Sequence, residues 1–361
     1  MPLAASRATV HPERSSDCAN AASPQDRLLT QPELPPESLA VILRAFEVKN
    51  PQATFVASGD ANSAVFRVVA GKVRYFLKLR CGDFDEIAAT IPAYLHSQGL
   101  TRVMAPILTA KGQPWVHAYG FDWMLYPFIE GRNGFERPLS RKHWIALGET
   151  MRAVHSTALP EMLAQRIPRE SYSPRFRKMV KSLDRDIGDR RGFDDQPIAQ
   201  LAELWMQHRN DIRAMVERSG KLVESLRQRN NAFVLCHSDL HAGNVLVDSA
   251  EEITIVDWDN PIFAPRERDL MFIGGGIGGK WNEPQETEWF FSGYGQVEVD
   301  RIAIAFYRHE RILVDIAEYG ERIFHGNASV QDRLLDLRKL ETAFQPDNVI
   351  TTAHKTYADL H

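Results

Sequence analysis

The sequence predicts an α+β chain of two lobes, a small lobe of mainly antiparallel strands and a larger, mainly helical one. Three observations lead there. Short runs of β-branched and aromatic residues, separated by turn signals, crowd into residues 52–129. Helical spacing with long polar faces takes over after Glu130-Gly131. A compact β island at 232–258 interrupts the helices, which resume over 266–361. Apolar residues make up 44% and charged residues 25% of the 361, which excludes collagen, wholesale disorder and a coiled-coil rod.

Residues 1–35 are rich in Ala, Ser, Pro and charge without hydrophobic periodicity, and read as a disordered extension. The small lobe is expected over 36–129. Pro36 suits a first helical turn, and Leu39, Ile42, Leu43 and Phe46 form an apolar stripe behind it. Strands follow at 52–57, 64–70 and 73–79, the last two joined at Gly71-Lys72. A helix is expected over 83–96, with Asp83 as N-cap, Gly99 as stop and Pro92 as a kink. Strands at 104–110 and 121–129, around the Lys111-Gly112 turn, complete the lobe. The larger lobe, 130–361, has helical spacing at 139–156, 174–187 and 198–229, then strands at 232–236, 244–247 and 253–258. A ligand is expected in the cleft between the lobes.

Lys and Arg number 43 against 47 Asp and Glu, a net charge of −4, so neither a nucleic acid nor a membrane partner is expected. No apolar run reaches the ~18 residues needed to span a bilayer, and MPLAASRATVHPERSS has no apolar core of a secretory signal. Cys18, Cys81 and Cys236 supply neither a disulfide framework nor a zinc signature, so a cytoplasmic protein is expected; the sequence leaves the oligomeric state open, a monomer being the expectation. The charge is uneven, however. Residues 131–230 carry 20 basic and 13 acidic side chains, whereas 231–361 carry 11 basic and 22 acidic ones. That acidic third suits a small cationic partner.

The strongest motif is CHSDLHAGNVLVD at 236–248, where His237-x-Asp239-x4-Asn244 lies between two strands. An aspartate there can accept the proton of an attacking hydroxyl, and the asparagine can turn back to hold a metal on phosphates, as in kinase catalytic loops. Asp257 ends the apolar run ITIV thirteen residues beyond Asn244, where a carboxylate can hold Mg²⁺ between phosphates. Lys78, inside YFLKL, either faces solvent or reaches a phosphate, and Glu86 in the next helix can reach back to position it. The loop 58–63 is either a plain turn or a phosphate cover built from Ser58, Gly59 and Ser63. Tyr126-Pro127-Phe128-Ile129 joins the lobes, and Tyr126 and Phe128 can flank a nucleotide base. ATP or GTP with Mg²⁺ is thus the expected cofactor set. Two patterns read otherwise. Gly274–Lys280 satisfies G-x-G-x-x-G, but Trp281 stands where a Ser/Thr should touch Mg²⁺ and Pro284 follows, so it reads as a loop near the substrate. His237 and His241 are spaced like zinc ligands but lack a third, and read as structural residues near the site.

These residues resemble the aminoglycoside phosphotransferase family, which shares the protein-kinase-like fold. HSDLHAGNVLVD is similar to its catalytic loop and IVDWD to its metal-binding segment. YSPRFRKMV (172–180), WDNPIFAPRERDLMFIGGGIG (258–278) and YRHERILVDIAEYG (307–320) are similar to the spectinomycin phosphotransferase branch, and the resemblance covers about 36–350. It implies ATP-dependent phosphorylation of a hydroxyl on a cationic aminocyclitol antibiotic, conferring resistance. Asp239 would be the base, Asn244 and Asp257 the Mg²⁺ ligands, Lys78 with Glu86 the phosphate-orienting pair, and the hinge the adenine site. Asp259, Glu267, Asp315 and Glu318 are the candidate acceptor carboxylates, since buried ammonium groups need counter-charges. Asp315 also fits an i,i+4 pair with Arg311. A kinase of another small metabolite (a choline-like amine, homoserine or a sugar) and a non-catalytic nucleotide-binding regulator remain the alternatives.

Overall fold

The computed structural model describes residues 34–35, 37–56, 63–82, 84–189, 192–229, 231–345 and 348–360. The expected extension, apart from Leu34 and Pro35, lies outside them, as do Asp83, Ser58 and Gly59. Helix α1 (Ser38–Ala45) leads into β1 (Gln52–Val56), β2 (Ser63–Ala70) and β3 (Val73–Arg80). Helix α2 (Ile87–Ser97) then precedes β4 (Val116–Ala118) and β5 (Phe121–Pro127). These strands form one antiparallel sheet in the order β1-β2-β3-β5-β4. Ile42, Leu43, Phe66, Leu77, Leu79, Trp123 and Leu125 fill its core. Because side chains alternate along a strand, burying Leu77 and Leu79 on that face sends Lys78, between them, to the other.

Two expectations for this region are corrected. Residues 104–110 form no strand: Met104 N donates to Ile255 O and Ile107 N to Leu125 O, while Pro106 has no N–H to give. The segment bonds two different partners in turn, so no ladder develops. Helix α2 begins at Ile87, whose N–H donates to the Asp85 carboxylate at 3.1 Å, and Pro92 lies inside it.

The larger part begins with β6 (Gly131–Asn133) and runs through α3 (Arg141–His155), α4 (Glu161–Ala164), α5 (Arg175–Gly188) and α6 (Gln196–Arg227). Strands β7 (Phe233–Cys236), β8 (Val245–Asp248), β9 (Ile253–Ile255) and β10 (Ile262–Pro265) follow. Then come α7 (Glu267–Leu270), α8 (Pro284–Tyr294), α9 (Arg301–Phe324), α10 (Val330–Ala343) and α11 (Val349–Ala358). The β island is two small sheets: β7 pairs with β10, while β8 lies between β6 and β9. Helices α3 and α8 cross backbone to backbone. A Cβ on Gly148 would stand 2.1 Å from Phe290 O, and one on Gly293 2.0 Å from Ile145 O, so neither position admits a side chain. Helix α9 packs on α5, α6, α10 and α11 through Leu313, Ile316 and Ala317 against Leu183 and Trp205. No helix among the described residues is long and apolar enough to cross a membrane.

Candidate active site

The loop after β7 is held from behind. Asp269, with no exposed surface, accepts from the backbone N–H of His237 (2.9 Å) and Ser238 (2.7 Å). His155 Nε2 stands 2.9 Å from the same carboxylate, and its Nδ1 lies 2.7 Å from the Tyr294 hydroxyl. Burial pushes the Asp269 carboxyl up, but His155 and the N–H donors outweigh it and bring it below its usual range. Ser238 adopts φ 76° and donates its hydroxyl to Asn260 O at 2.7 Å. His237 Nδ1 accepts from Asp239 N, so its proton sits on Nε2, which donates to Val256 O at 2.8 Å.

Asp239 thereby projects from a fixed backbone. His241 Nδ1 accepts from Gly243 N, which leaves the proton on Nε2, 3.6 Å from Asp239 Oδ2. Arg311 Nε lies 3.7 Å from Oδ1. Burial alone would raise the Asp239 carboxyl, yet His241 and Arg311 prevail and lower it to about 2. The base candidate is an anion at neutral pH.

Of the expected nucleotide residues, Ser63, Lys78, Tyr126 and Phe128 line one cavity of about 470 Å³ together with Asn244 and Asp257, whereas Glu86 does not. Phe128 is flanked by the guanidiniums of Arg67 and Arg74, 5.5 and 5.6 Å from its ring centre. Asn244 Nδ2 donates to Asp239 O at 2.9 Å, which leaves its Oδ1 without a partner among the described residues. Asp257 follows β9 at φ 65°, a conformation short polar residues tolerate, so the chain turns away and the expected strand 253–258 stops at Ile255. Its half-exposed carboxylate lies 3.5 Å from Lys78; burial raises it, Lys78 opposes, and Asp259 raises it further. An amide oxygen and a charge-rich carboxylate on one wall fit a hard cation such as Mg²⁺.

Lys78 is not paired with Glu86. Its Nζ donates to both Asp259 oxygens, at 2.9 and 2.7 Å, and Arg80 adds a third bond at 3.0 Å. Glu86, at the N-cap position of α2, is joined to Arg166 of the larger part instead. The part-buried Lys78 takes the carboxylate that shares its pocket, and the more exposed Glu86 takes a surface arginine.

A second cavity, of about 940 Å³, opens beside the first, with Asp239 and Asp259 on its wall and Asp259 common to both. It also gathers Asp315 and Glu318 from α9. Seven carboxylates against four Arg and Lys line it, so it is an acidic chamber. Asp315 is bound to Arg311 at 2.5 Å, the i,i+4 pair its spacing allowed. Asp259 faces the chamber with its charge already engaged, whereas Glu318 is exposed with no ion pair among the described residues. Glu267 is a correction. It is 5% exposed, lines neither cavity and accepts from Asp300 N at the start of α9, because α7 turns it away from the cleft. The glycine-rich segment lies outside the 470 Å³ cavity; Gly275 and Ile277 line a smaller one of about 290 Å³ beside the acidic chamber.

Residues 52–302 match the model of the phosphotransferase enzyme family. The chain belongs to the aminoglycoside phosphotransferase family. It is a phosphotransferase with an alcohol group as acceptor. The crystal structure of spectinomycin phosphotransferase, APH(9)-Ia, with ADP and spectinomycin is 37% identical, with a TM-score of 0.82 over 90% of this chain and 99% of that one. The AMP-bound complex of the same enzyme gives 36%, 0.79, 89% and 99%. An aminoglycoside phosphotransferase from Alicyclobacillus acidocaldarius, at 13% identity, TM-score 0.55 and 92% and 96% coverage, shares the fold. No curated protein matches the chain.

The residues that hold this phosphotransferase's loop, Asp269 and His155, were not singled out by sequence reasoning, which chose Glu267 two positions away. The available signal was an acid abutting the apolar run Leu270-Met271-Phe272-Ile273. Together with Cys236, these two are the one set of three close potential metal ligands among the described residues. Burial raises the Cys236 thiol, and Asp269 is saturated by N–H donors, so the set serves the loop.

Proposed function

We propose that this phosphotransferase moves the γ-phosphoryl group of ATP to a hydroxyl of a cationic aminocyclitol, spectinomycin foremost, and so confers resistance to it. The observation that carries the reading is the acidic chamber with Asp239 on its wall, adjoining a cavity lined by Lys78, Asn244, Asp257 and the hinge. The 37% identity to a spectinomycin phosphotransferase supports the acceptor. The lobes would divide at 129/130, with the nucleotide between them, and the scarcity of cysteine supports a cytoplasmic location.

Tyr126 and Phe128 would flank the adenine, and Lys78 would fix the α/β-phosphate oxygens. Asn244 and Asp257 would hold Mg²⁺, which supplies charge neutralisation on the phosphates. Asp239 orients the acceptor hydroxyl and takes its proton as the new O–P bond forms and the bond to the β-phosphate oxygen breaks, releasing ADP. Positioning and electrostatics carry most of such a reaction, and general-base assistance adds about 10²–10⁴-fold.

The test is Asp239→Ala. Turnover with spectinomycin should be abolished while circular dichroism and ATP binding stay unchanged; full activity overturns the assignment of the base. An acceptor panel of spectinomycin, other aminocyclitols, choline, homoserine and sugars, with growth of a sensitive host on each antibiotic, tests the substrate. Turnover of a metabolite alone refutes the antibiotic reading, and ATP binding without turnover of any acceptor would favour a regulator.

A further inference from the structure

A carboxylate base serving an amine-bearing acceptor faces a competition within its own substrate. An ammonium group bonds a carboxylate more strongly than a hydroxyl does, and an ammonium seated on Asp239 would exclude the hydroxyl that must react. The chamber wall carries a device against this. Arg311 Nε stands 3.7 Å from Asp239 Oδ1, beyond hydrogen-bond reach but well within charge range. Its Nη1 is fixed at 2.5 Å on Asp315, one turn along α9. Nε is buried and has no hydrogen-bond partner, so the guanidinium offers Asp239 its charge without occupying the lone pairs.

On the cationic-acceptor reading above, we propose that Arg311 determines which acceptor group Asp239 receives: it pre-neutralises the base, so that a hydroxyl docks there and ammonium groups are sent outward to Glu318 and its neighbours. Glu318 suits that role, being exposed and unpaired among the described residues. Arg311 acts through Asp239, so it is a positioning residue. Asp315 belongs to the same device as the anchor of the guanidinium.

The experiment is steady-state kinetics of Arg311→Met and Arg311→Lys with spectinomycin, beside calorimetric binding of spectinomycin without nucleotide. Loss of the charge should open a non-productive mode. In Arg311→Met, kcat and KM should fall together by about tenfold or more, the low end for close charge pairs, leaving kcat/KM nearly constant, and spectinomycin binding should tighten by the same factor. Arg311→Lys should recover most of both values, because it keeps the charge. A raised KM at unchanged kcat in Arg311→Met, or equal damage in both variants, overturns the proposal. If Arg311→Met fails to fold in a thermal melt, Arg311→Gln takes its place under the same criteria. The acceptor reading is judged separately, on the unaltered enzyme: if that neither binds nor phosphorylates spectinomycin, the reading falls and this proposal with it.

Discussion

Lys78 Nζ donates to Asp259 at 2.7 Å, whereas Glu86, the partner its place in the sequence recommended, is joined to Arg166. The proposed phosphate lysine is therefore steered by a residue of the β9–β10 connection. Asp259→Asn should raise the KM for ATP about tenfold, the low end for a close charge pair, with the KM for acceptor little changed. Glu86→Gln breaks an exposed pair, worth about 0–1 kcal/mol, and should leave ATP kinetics near the unaltered values. Initial rates over an ATP titration check both, and a larger effect from Glu86→Gln would refute the assignment.

Asp269 accepts two backbone N–H groups and faces His155 with no exposed surface. Asp269→Asn puts an amide donor among donors. Breaking one side of a buried charged network costs about 3–5 kcal/mol. Urea unfolding should show a loss on that scale, with kcat reduced because Asp239 loses its backbone support. An unchanged midpoint would show that the loop is held by other means.

Arg311 and His241 bring the Asp239 carboxyl down to about 2 against the effect of burial. The groups facing it are His237 and His241 on its own loop, Arg311 and Asp315 on α9, and Asp257 after β9. Since the folded value is depressed, the ionised base persists as pH falls through the ordinary aspartate range near ~3.9. Removing Arg311 removes a lowering influence and leaves the burial, so the value must rise. The acid limb of kcat/KM should lie at higher pH in Arg311→Met than in the unaltered enzyme. A limb displaced toward lower pH would contradict the electrostatics.

Asp257 and Asn244 supply oxygen donors to the cavity proposed for the nucleotide. Asp257→Asn keeps the shape and removes the charge. The Mg²⁺ concentration giving half-maximal activity should rise at least about tenfold, as expected when a hard cation loses a carboxylate. Chelation should stop turnover in the unaltered enzyme without unfolding it.

Much of this site was legible before any coordinates. Asp239 and Asn244 lie between two strands, where their spacing put them, and Lys78 faces the cleft because Leu77 and Leu79 face the core. What stayed hidden depends on contacts distant in the chain. Glu86 near Lys78 in sequence gave no warning that Asp259, 181 residues on, would claim the lysine. Glu267 and Asp269 are both acids in one short helix, and only the three-dimensional packing puts Asp269 under the loop after β7. The strand expected at 104–110 failed for the same reason, since its apolar run serves two partners in turn.

Asp259 borders both cavities, and its charge is counted by each. A nucleotide whose phosphates shared Lys78 with Asp259 would leave that carboxylate less compensated, and the chamber it also lines would grow more negative. On the proposed function the two substrates would then be thermodynamically coupled: ATP would tighten the grip on a cationic acceptor, and the acceptor, by reciprocity, the grip on ATP. On that reading, a single carboxylate would let the state of one pocket be felt in the other.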